Sequence, residues 1–243
     1  MSRRLDQLLV ERGLAETREQ AKRLILAGDV TVEGVSNPKP GQKVSPDAVI
    51  HLKERPRFVS RGGLKLEAAL DAFALEVTGR IGVDIGASTG GFTDCLLQRG
   101  ALRVHALDVG TNQLAWKLRQ DPRVLSREKF NCRDLGPGDT GEPAGIVVID
   151  VSFISLTLIL PAAFRVLEAT GDLVCLIKPQ FELERNDIGK GGIVRDPDLH
   201  QRAVAKIENF TASSLRKAWK GVIESPITGT DGNREFLAWL RHE

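Results

Sequence analysis

The sequence predicts a doubly wound α/β domain, with a mostly parallel sheet and an antiparallel last strand, preceded by a small α+β module. Three observations carry that reading. From residue 64 onward, short apolar runs rich in β-branched residues alternate with helix-forming stretches, the pattern of repeated βαβ units. A glycine-rich turn follows the first of those runs, where such folds place a ligand loop. The first sixty residues differ from the rest in charge and in element pattern.

Length and composition agree with this division. A chain of 243 residues, 42% hydrophobic and 27% charged, has room for one α/β domain and an appendage. The net charge of +2 does not by itself indicate a nucleic-acid binder, but residues 1–61 hold 12 Lys and Arg against 8 Asp and Glu, a local net of +4. A basic module attached to a nearly neutral domain is suited to phosphate contacts. Cys95, Cys132 and Cys175 lie far apart, with neither metal-site spacing nor a disulfide framework, so they are expected to be reduced and no metal is expected. Met1 to Asp6 has the charge of a signal peptide's first region, but Asp6, Gln7, Glu11 and Arg12 interrupt any apolar one, which predicts a cytoplasmic protein.

In the amino-terminal module, Leu5, Leu8 and Leu9 repeat at helical spacing until Gly13. Thr17-Arg-Glu-Gln20 matches a capping box, Ala21, Leu24 and Ile25 form a buried stripe, and Gly28 ends that second helix. Val30-Thr31-Val32, Val44 and Val49-Ile50 suggest short strands. Arg4-Leu5-Asp6 through about Leu52 resembles the RNA-binding domain named after ribosomal protein S-four, most tellingly in the run from Thr17 to Gly34. The resemblance implies RNA contacts from Arg4, Arg18, Lys22 and Arg23; the bland alternative is a solvated helix face. The module is expected to span residues 1–55, with a linker at 56–63 bracketed by Pro56 and the Gly62-Gly63 pair, and the α/β domain at 64–243.

Within that domain the pattern predicts helices at about 64–75, after Gly91, at 112–119 and at about 199–215. Strands are expected at 81–85, 104–107, near Val124, at 146–149 and 173–177, then a closing pair at 219–224 and 235–240. The stretch from Pro179 to Pro197, with Gly189-Lys-Gly-Gly192, reads as an exposed loop near the site. Residues 144–164 have the length of a membrane span, but Asp150, Ser152 and Pro161 instead mark a buried strand and its exit.

Asp84-Ile-Gly-Ala-Ser-Thr-Gly-Gly91 follows an apolar strand and opens a helix, so that bare backbone can approach a ligand. Ser88 stands where a dinucleotide fingerprint requires its second glycine, which disfavours NAD. The next strand ends in Asp108, placed to accept hydrogen bonds from ribose hydroxyls, and this combination points to S-adenosylmethionine (SAM). The expected cofactor residues are Asp84, Gly86, Ala87, Ser88, Thr89, Gly90, Gly91, Phe92 and Asp108, with Asn131, and Arg133 or Asp134, as candidates for the adenine edge. Lys65, Asp150, Lys178 and Glu235 stand at ends of the predicted elements, where doubly wound folds place their chemistry.

From Phe58 to Leu240 the sequence resembles the TlyA group of FtsJ-type RNA 2′-O-methyltransferases, a group that also carries the name hemolysin. The matching pieces are Val59-Ser-Arg-Gly-Gly-Leu-Lys65-Leu, the loop from Gly86 to Thr93, Gln113-Leu-Ala-Trp116, Asp150-Val-Ser-Phe-Ile-Ser-Leu156, Leu176-Ile-Lys178-Pro-Gln-Phe-Glu182, Gly191-Gly-Ile-Val-Arg-Asp-Pro197 and Gly232-Asn-Arg-Glu235-Phe. The resemblance implies a Rossmann-like SAM-dependent methyltransferase fold, with the family's Lys-Asp-Lys-Glu tetrad on Lys65, Asp150, Lys178 and Glu235 and its cofactor loop on Gly86 to Phe92. It implies cytidine 2′-hydroxyls of ribosomal RNA, free or in ribosomal subunits, as substrate, and no membrane partner. Because the chain ends at Glu243, soon after the final strand, the large subunit is the favoured target. A 2′-hydroxyl needs a base to take its proton, and Lys178 is the candidate; Asp150 and Glu235 are expected to orient the lysines and hydrogen-bond the sugar. The competing readings are a membrane-active hemolysin, drawn from the group's second name and the apolar stretch 144–164, and a non-catalytic RNA-binding or ribosome-assembly factor. The sequence does not set the oligomeric state.

Overall fold

The computed structural model describes residues 2–53 and 56–243; Met1, and Glu54 and Arg55 at the end of the expected first module, lie outside the described residues. The chain divides into two compact units, Met1–Pro56 and Arg57–Glu243.

In the first unit, β1 (Arg3–Arg4) leads into α1 (Leu5–Glu11), α2 (Arg18–Leu26) and β2 (Val30–Val32), followed by β3 (Lys43–Val44) and β4 (Ile50–Leu52). β1 pairs with β3 and β2 with β4, both antiparallel. Leu5, Leu9, Ala21, Ile25 and Val30 are buried together, as the helical spacing of the sequence requires. Thr17 caps α2 by accepting a hydrogen bond from the Gln20 amide at 3.2 Å. The Gln20 side chain closes on the amide of Glu16, one residue before the position a capping box predicts. Asp6, fully buried in the first turn of α1, accepts two hydrogen bonds from Arg4, at 3.1 and 3.0 Å, and one from Arg18 at 3.0 Å. The Arg4 hydrogen bonds, reinforced by Arg18, hold its carboxyl down at about 2 despite the upward pull of burial.

The second unit begins with α3 (Gly62–Ala72), β5 (Ile81–Ile85), α4 (Gly91–Gln98), β6 (Arg103–Leu107), α5 (Trp116–Arg119) and β7 (Val124–Arg127). It continues through α6 (Pro137–Thr140), β8 (Ala144–Ile149), α7 (Leu160–Val166), β9 (Leu167–Ile177), α8 (Pro179–Glu182), α9 (Pro197–Asn209), β10 (Ala218–Glu224) and β11 (Phe236–Arg241). Seven strands form one sheet in the order β10-β11-β9-β8-β5-β6-β7. β7, β6, β5, β8 and β9 run parallel, and β11 lies antiparallel to both its neighbours. β8 is buried along its whole length, because a parallel strand between two others has helices over both faces. One face of the sheet packs Val83, Ile85, Val147, Ile149 and Cys175; the other packs Val104, Ile146, Val148, Val174 and Leu176.

The apolar stretch at 144–164 divides into β8, a loop at 150–159 with a short 3-10 turn, and the start of α7, which takes Pro161 near its beginning, where a missing N–H costs nothing. Among the described residues no helix is long and apolar enough to cross a membrane. In the stretch at 56–63, Phe58 is 3% exposed within the core of the second unit, and the Val59 amide donates to Asp94 at 2.8 Å.

Three expected elements differ. The helix predicted at 112–119 shrinks to α5, because Asn112 takes a left-handed conformation (φ 56°) and its amide is drawn to Glu128 at 2.9 Å. The long helix predicted at 199–215 runs as α9 to Asn209 and then widens into a π turn over Phe210–Ser214. The stretch at 179–197, expected as an exposed loop, contains α8, whose Pro179 and Glu182 are buried. Glu182 turns inward because it accepts hydrogen bonds from the Leu156 amide at 2.8 Å and the Ser155 hydroxyl at 2.6 Å.

Candidate active site

From β5 the chain lays down β6 and β7 on one side, then crosses to place β8 and β9 on the other. The crevice left at the carboxyl ends of β5 and β8 is where a doubly wound sheet receives its ligand. Ile85 is in register with Ile149, so Gly86 and Asp150 leave the sheet side by side. Gly86 has φ 83°, and a Cβ on it would lie 2.4 Å from the Asp150 carbonyl oxygen. No other residue fits, and the bare backbone is left facing the crevice.

On one side of this point lies a cleft of about 800 Å³, walled by Val151, Phe130, Ile154 and Leu158 and bearing Gly86, Ser88, Asp108 and Asn131. Asp108 fixes the loop, accepting hydrogen bonds from the Ser88 amide at 2.7 Å and the Gly110 amide at 2.6 Å. Asn131 accepts from the Arg133 amide and guanidinium, at 3.3 and 3.1 Å, on the same wall. Ala87, Gly91 and Phe92 line a smaller hollow of about 160 Å³ that also holds Gly86, Asp150 and Lys178.

The remaining loop residues do not line these cavities. Asp84 is fully buried, its Oδ2 accepting from the Thr93 amide at 2.9 Å and the Thr93 hydroxyl at 2.6 Å, so it ties β5 to the start of α4. Burial raises its carboxyl to about 7, against the Thr93 hydrogen bond and with a further push from Asp150 and Asp108. Thr89 gives its carbonyl to the Ala115 amide at 3.1 Å. Gly90 (φ 97°) makes room for Leu118 and Leu114, which a Cβ would meet at 2.3 and 2.7 Å.

The four ionisable residues meet in an adjoining cleft of about 390 Å³. Lys65 comes from α3, Asp150 from the end of β8, Lys178 from the end of β9, and Glu235 from the residue before β11. Because β11 is antiparallel, its beginning lies at the edge where the parallel strands end; Phe236 pairs with Ile177, which sets Glu235 beside the exit that Lys178 occupies. The tetrad resolves into two ion pairs, Lys65–Glu235 at 2.5 Å and Lys178–Asp150 at 2.6 Å. The first is buried, with Lys65 8% and Glu235 3% exposed, whereas the second faces the point where the clefts adjoin. Lys178 also donates to the Ser152 hydroxyl at 2.9 Å.

Ser152 and Phe153 went unassigned in the sequence, although both lie in the run from Asp150 to Leu156. Phe153 has φ 65°, is 91% exposed, and holds its ring 5.1 Å from that of Phe181 in the four-residue cleft. The only sequence signal for it is an aromatic in the loop that follows a strand end. In the first unit, Arg4 and Arg18 converge on Asp6, Lys22 pairs with Glu19 at 2.7 Å, and Arg23 is exposed on α2. Among the described residues no group of three His, Cys, Asp or Glu could hold a metal ion.

A sheet of this order, with a cleft at its crossover and paired lysines and carboxylates beside it, has the architecture of Rossmann-like methyltransferases. The chain belongs to the FtsJ-like methyltransferase family, whose model matches residues 58–242, and an S4 domain model matches residues 3–50. It is 47% identical over 241 residues to the 16S/23S rRNA (cytidine-2′-O)-methyltransferase TlyA of Mycobacterium tuberculosis, covering 98% of this chain and 89% of that one. It is 45% identical over 240 residues to Hemolysin A of Brachyspira hyodysenteriae, covering 97% and 98%. A solved structure from Streptococcus thermophilus that carries a hemolysin name superposes with a TM-score of 0.74 at 51% identity, covering 99% of this chain and 88% of that one.

Proposed function

We propose that the chain transfers the methyl group of SAM to the 2′-hydroxyl of a cytidine in ribosomal RNA. The observation that carries the reading is Lys178: it lines both the tetrad cleft and the hollow beside the Gly86 loop, held by Asp150 and Ser152, which line the larger cleft as well, with the Lys65–Glu235 pair across the tetrad cleft. The names of relatives such as the mycobacterial TlyA protein support the acceptor and its cytidine.

The larger cleft suits SAM. About 800 Å³ lies within the ~300–1,000 Å³ usual for small-molecule sites, and its apolar wall beside Asp108 and Asn131 fits an adenine and a ribose. Asp108 keeps lone pairs for ribose hydroxyls beyond those it gives to Ser88 and Gly110, and the bare Gly86 backbone lines the same cleft. Bound there, SAM supplies a methyl group on a positively charged sulfur, open to attack by oxygen.

The protein's own contribution is placement and proton transfer. The acceptor ribose would enter the tetrad cleft, and Lys178, once its own ion-pair proton has passed to solvent, would take the 2′-hydroxyl proton as that oxygen receives the methyl group. Asp150 then holds the ammonium. Lys65 and Glu235 fix the sugar from the opposite side. Residues 1–55, with Arg4, Arg18, Lys22 and Arg23, grip RNA phosphates, residues 56–63 link this part to the rest, and residues 64–243 carry the chemistry. Replacing Lys178 by Ala is expected to reduce methyl transfer to ribosomal RNA by about 10²–10⁴-fold, the usual worth of a positioned base, while SAM affinity measured by calorimetry stays within about twofold. Full transfer by that variant would remove Lys178 from the base role.

A further inference from the structure

We propose that Gly229 is a positioning residue: its missing side chain is what seats the Glu235 carboxylate against Lys65. The inference deepens the methyl-transfer reading and rests on it for the importance of that ion pair. A Cβ on Gly229 would lie 2.5 Å from Glu235 Oε1 and 3.1 Å from its Cδ. In an open place a glutamate would swing aside. Here swinging aside would give up the Lys65 contact, because Glu235 is 3% exposed and its other oxygen is engaged by Lys65 at 2.5 Å.

The turn that brings Gly229 to this place is built from both ends. The Gly229 amide donates to the Asn233 carbonyl at 2.8 Å, and the Ser225 amide donates to the Glu235 carbonyl at 2.9 Å. Asn233 is itself 1% exposed, with its side chain accepting from the Val194 amide and donating to the Gly192 carbonyl, both at 2.9 Å. A rigid turn therefore presses glycine backbone against the carboxylate, and Thr230 and Asp231 of the same turn line the tetrad cleft. Gly229 lies outside the left-handed region, so alanine there is tolerated by the backbone, and its nearest contacts would be Glu235 and then the Asn233 carbonyl, the latter at an ordinary 3.7 Å.

Gly232, three residues on, provides the control. Its φ of 86° makes alanine strained, but a Cβ there has nothing within 4 Å. The experiment compares Gly229→Ala and Gly232→Ala in the full chain at steady state, with rates normalised to folded sites counted by SAM binding and with thermal midpoints recorded. The expected result is a loss of about tenfold or more in kcat for Gly229→Ala, with KM for RNA within about twofold, and a smaller kcat loss for Gly232→Ala despite its lower midpoint. The inference is overturned if Gly229→Ala keeps kcat within about twofold of the parent, or if the two variants lose kcat in proportion to their midpoints. Glu235→Ala in the same assay separates the two levels. If it retains full activity, the catalytic reading of the ion pair fails; if it is inactive while Gly229→Ala is not, only the positioning inference fails.

Discussion

Asp84 sits at the base of the loop on which the site is built, and its environment has a measurable cost. Its carboxyl is raised to about 7 by burial, while an exposed aspartate in the unfolded chain releases its proton near ~4. Between those values the folded chain holds a proton that the unfolded chain has lost. Stability from this group is therefore complete below the unfolded pKa and declines as the pH rises through about 7. Asp84→Asn, which keeps an oxygen for Thr93, should gain on the parent in urea denaturation as the buffer moves from about pH 5 to about pH 8; a gap that stays constant would contradict the assignment. The sequence read Asp84 as a cofactor contact because it begins the glycine loop. Spacing gave its position in the chain, but which way its side chain points depends on Thr93 at the opening of α4, and no local pattern reports that.

At the level of elements, the strands were the most legible part. Runs such as Ile146-Val-Val-Ile149 can only be buried, and β8 extends the expected strand by two residues at its start. The helix at 112–119 misled because its composition suits a helix, whereas the Asn112 conformation and the Glu128 contact depend on neighbours distant in sequence. Lys65, Asp150, Lys178 and Glu235 could be picked out individually as ends of elements. Their grouping required the antiparallel reversal of β11, which returns Glu235 to the edge where β8 and β9 finish. In the first unit, the Thr17 cap was visible from four residues, and its worth can be measured. Thr17→Ala should destabilise the first unit by about 1 kcal/mol in denaturation followed there, within the ~0.5–2 kcal/mol range of lost caps. No measurable change would mean that the Gln20–Glu16 hydrogen bond alone starts α2.

Across the whole molecule, a basic unit matched by an S4 model is joined to a methyltransferase unit whose larger cleft and tetrad cleft meet at Asp150 and Ser152, the partners of Lys178. The hemolysin name borne by some relatives finds no long apolar helix among the described residues, and the stretch that suggested one is spent on β8 and α7. What the clefts do chemically is decided most directly by the product. Purified protein, SAM labelled on its methyl group, and ribosomal RNA from a strain lacking this gene should be incubated, and the RNA digested to nucleosides and resolved by mass spectrometry. The account predicts label in 2′-O-methylcytidine, absent when Lys178→Ala replaces the parent protein. Label on a base, or no RNA label from protein that binds SAM, would contradict it.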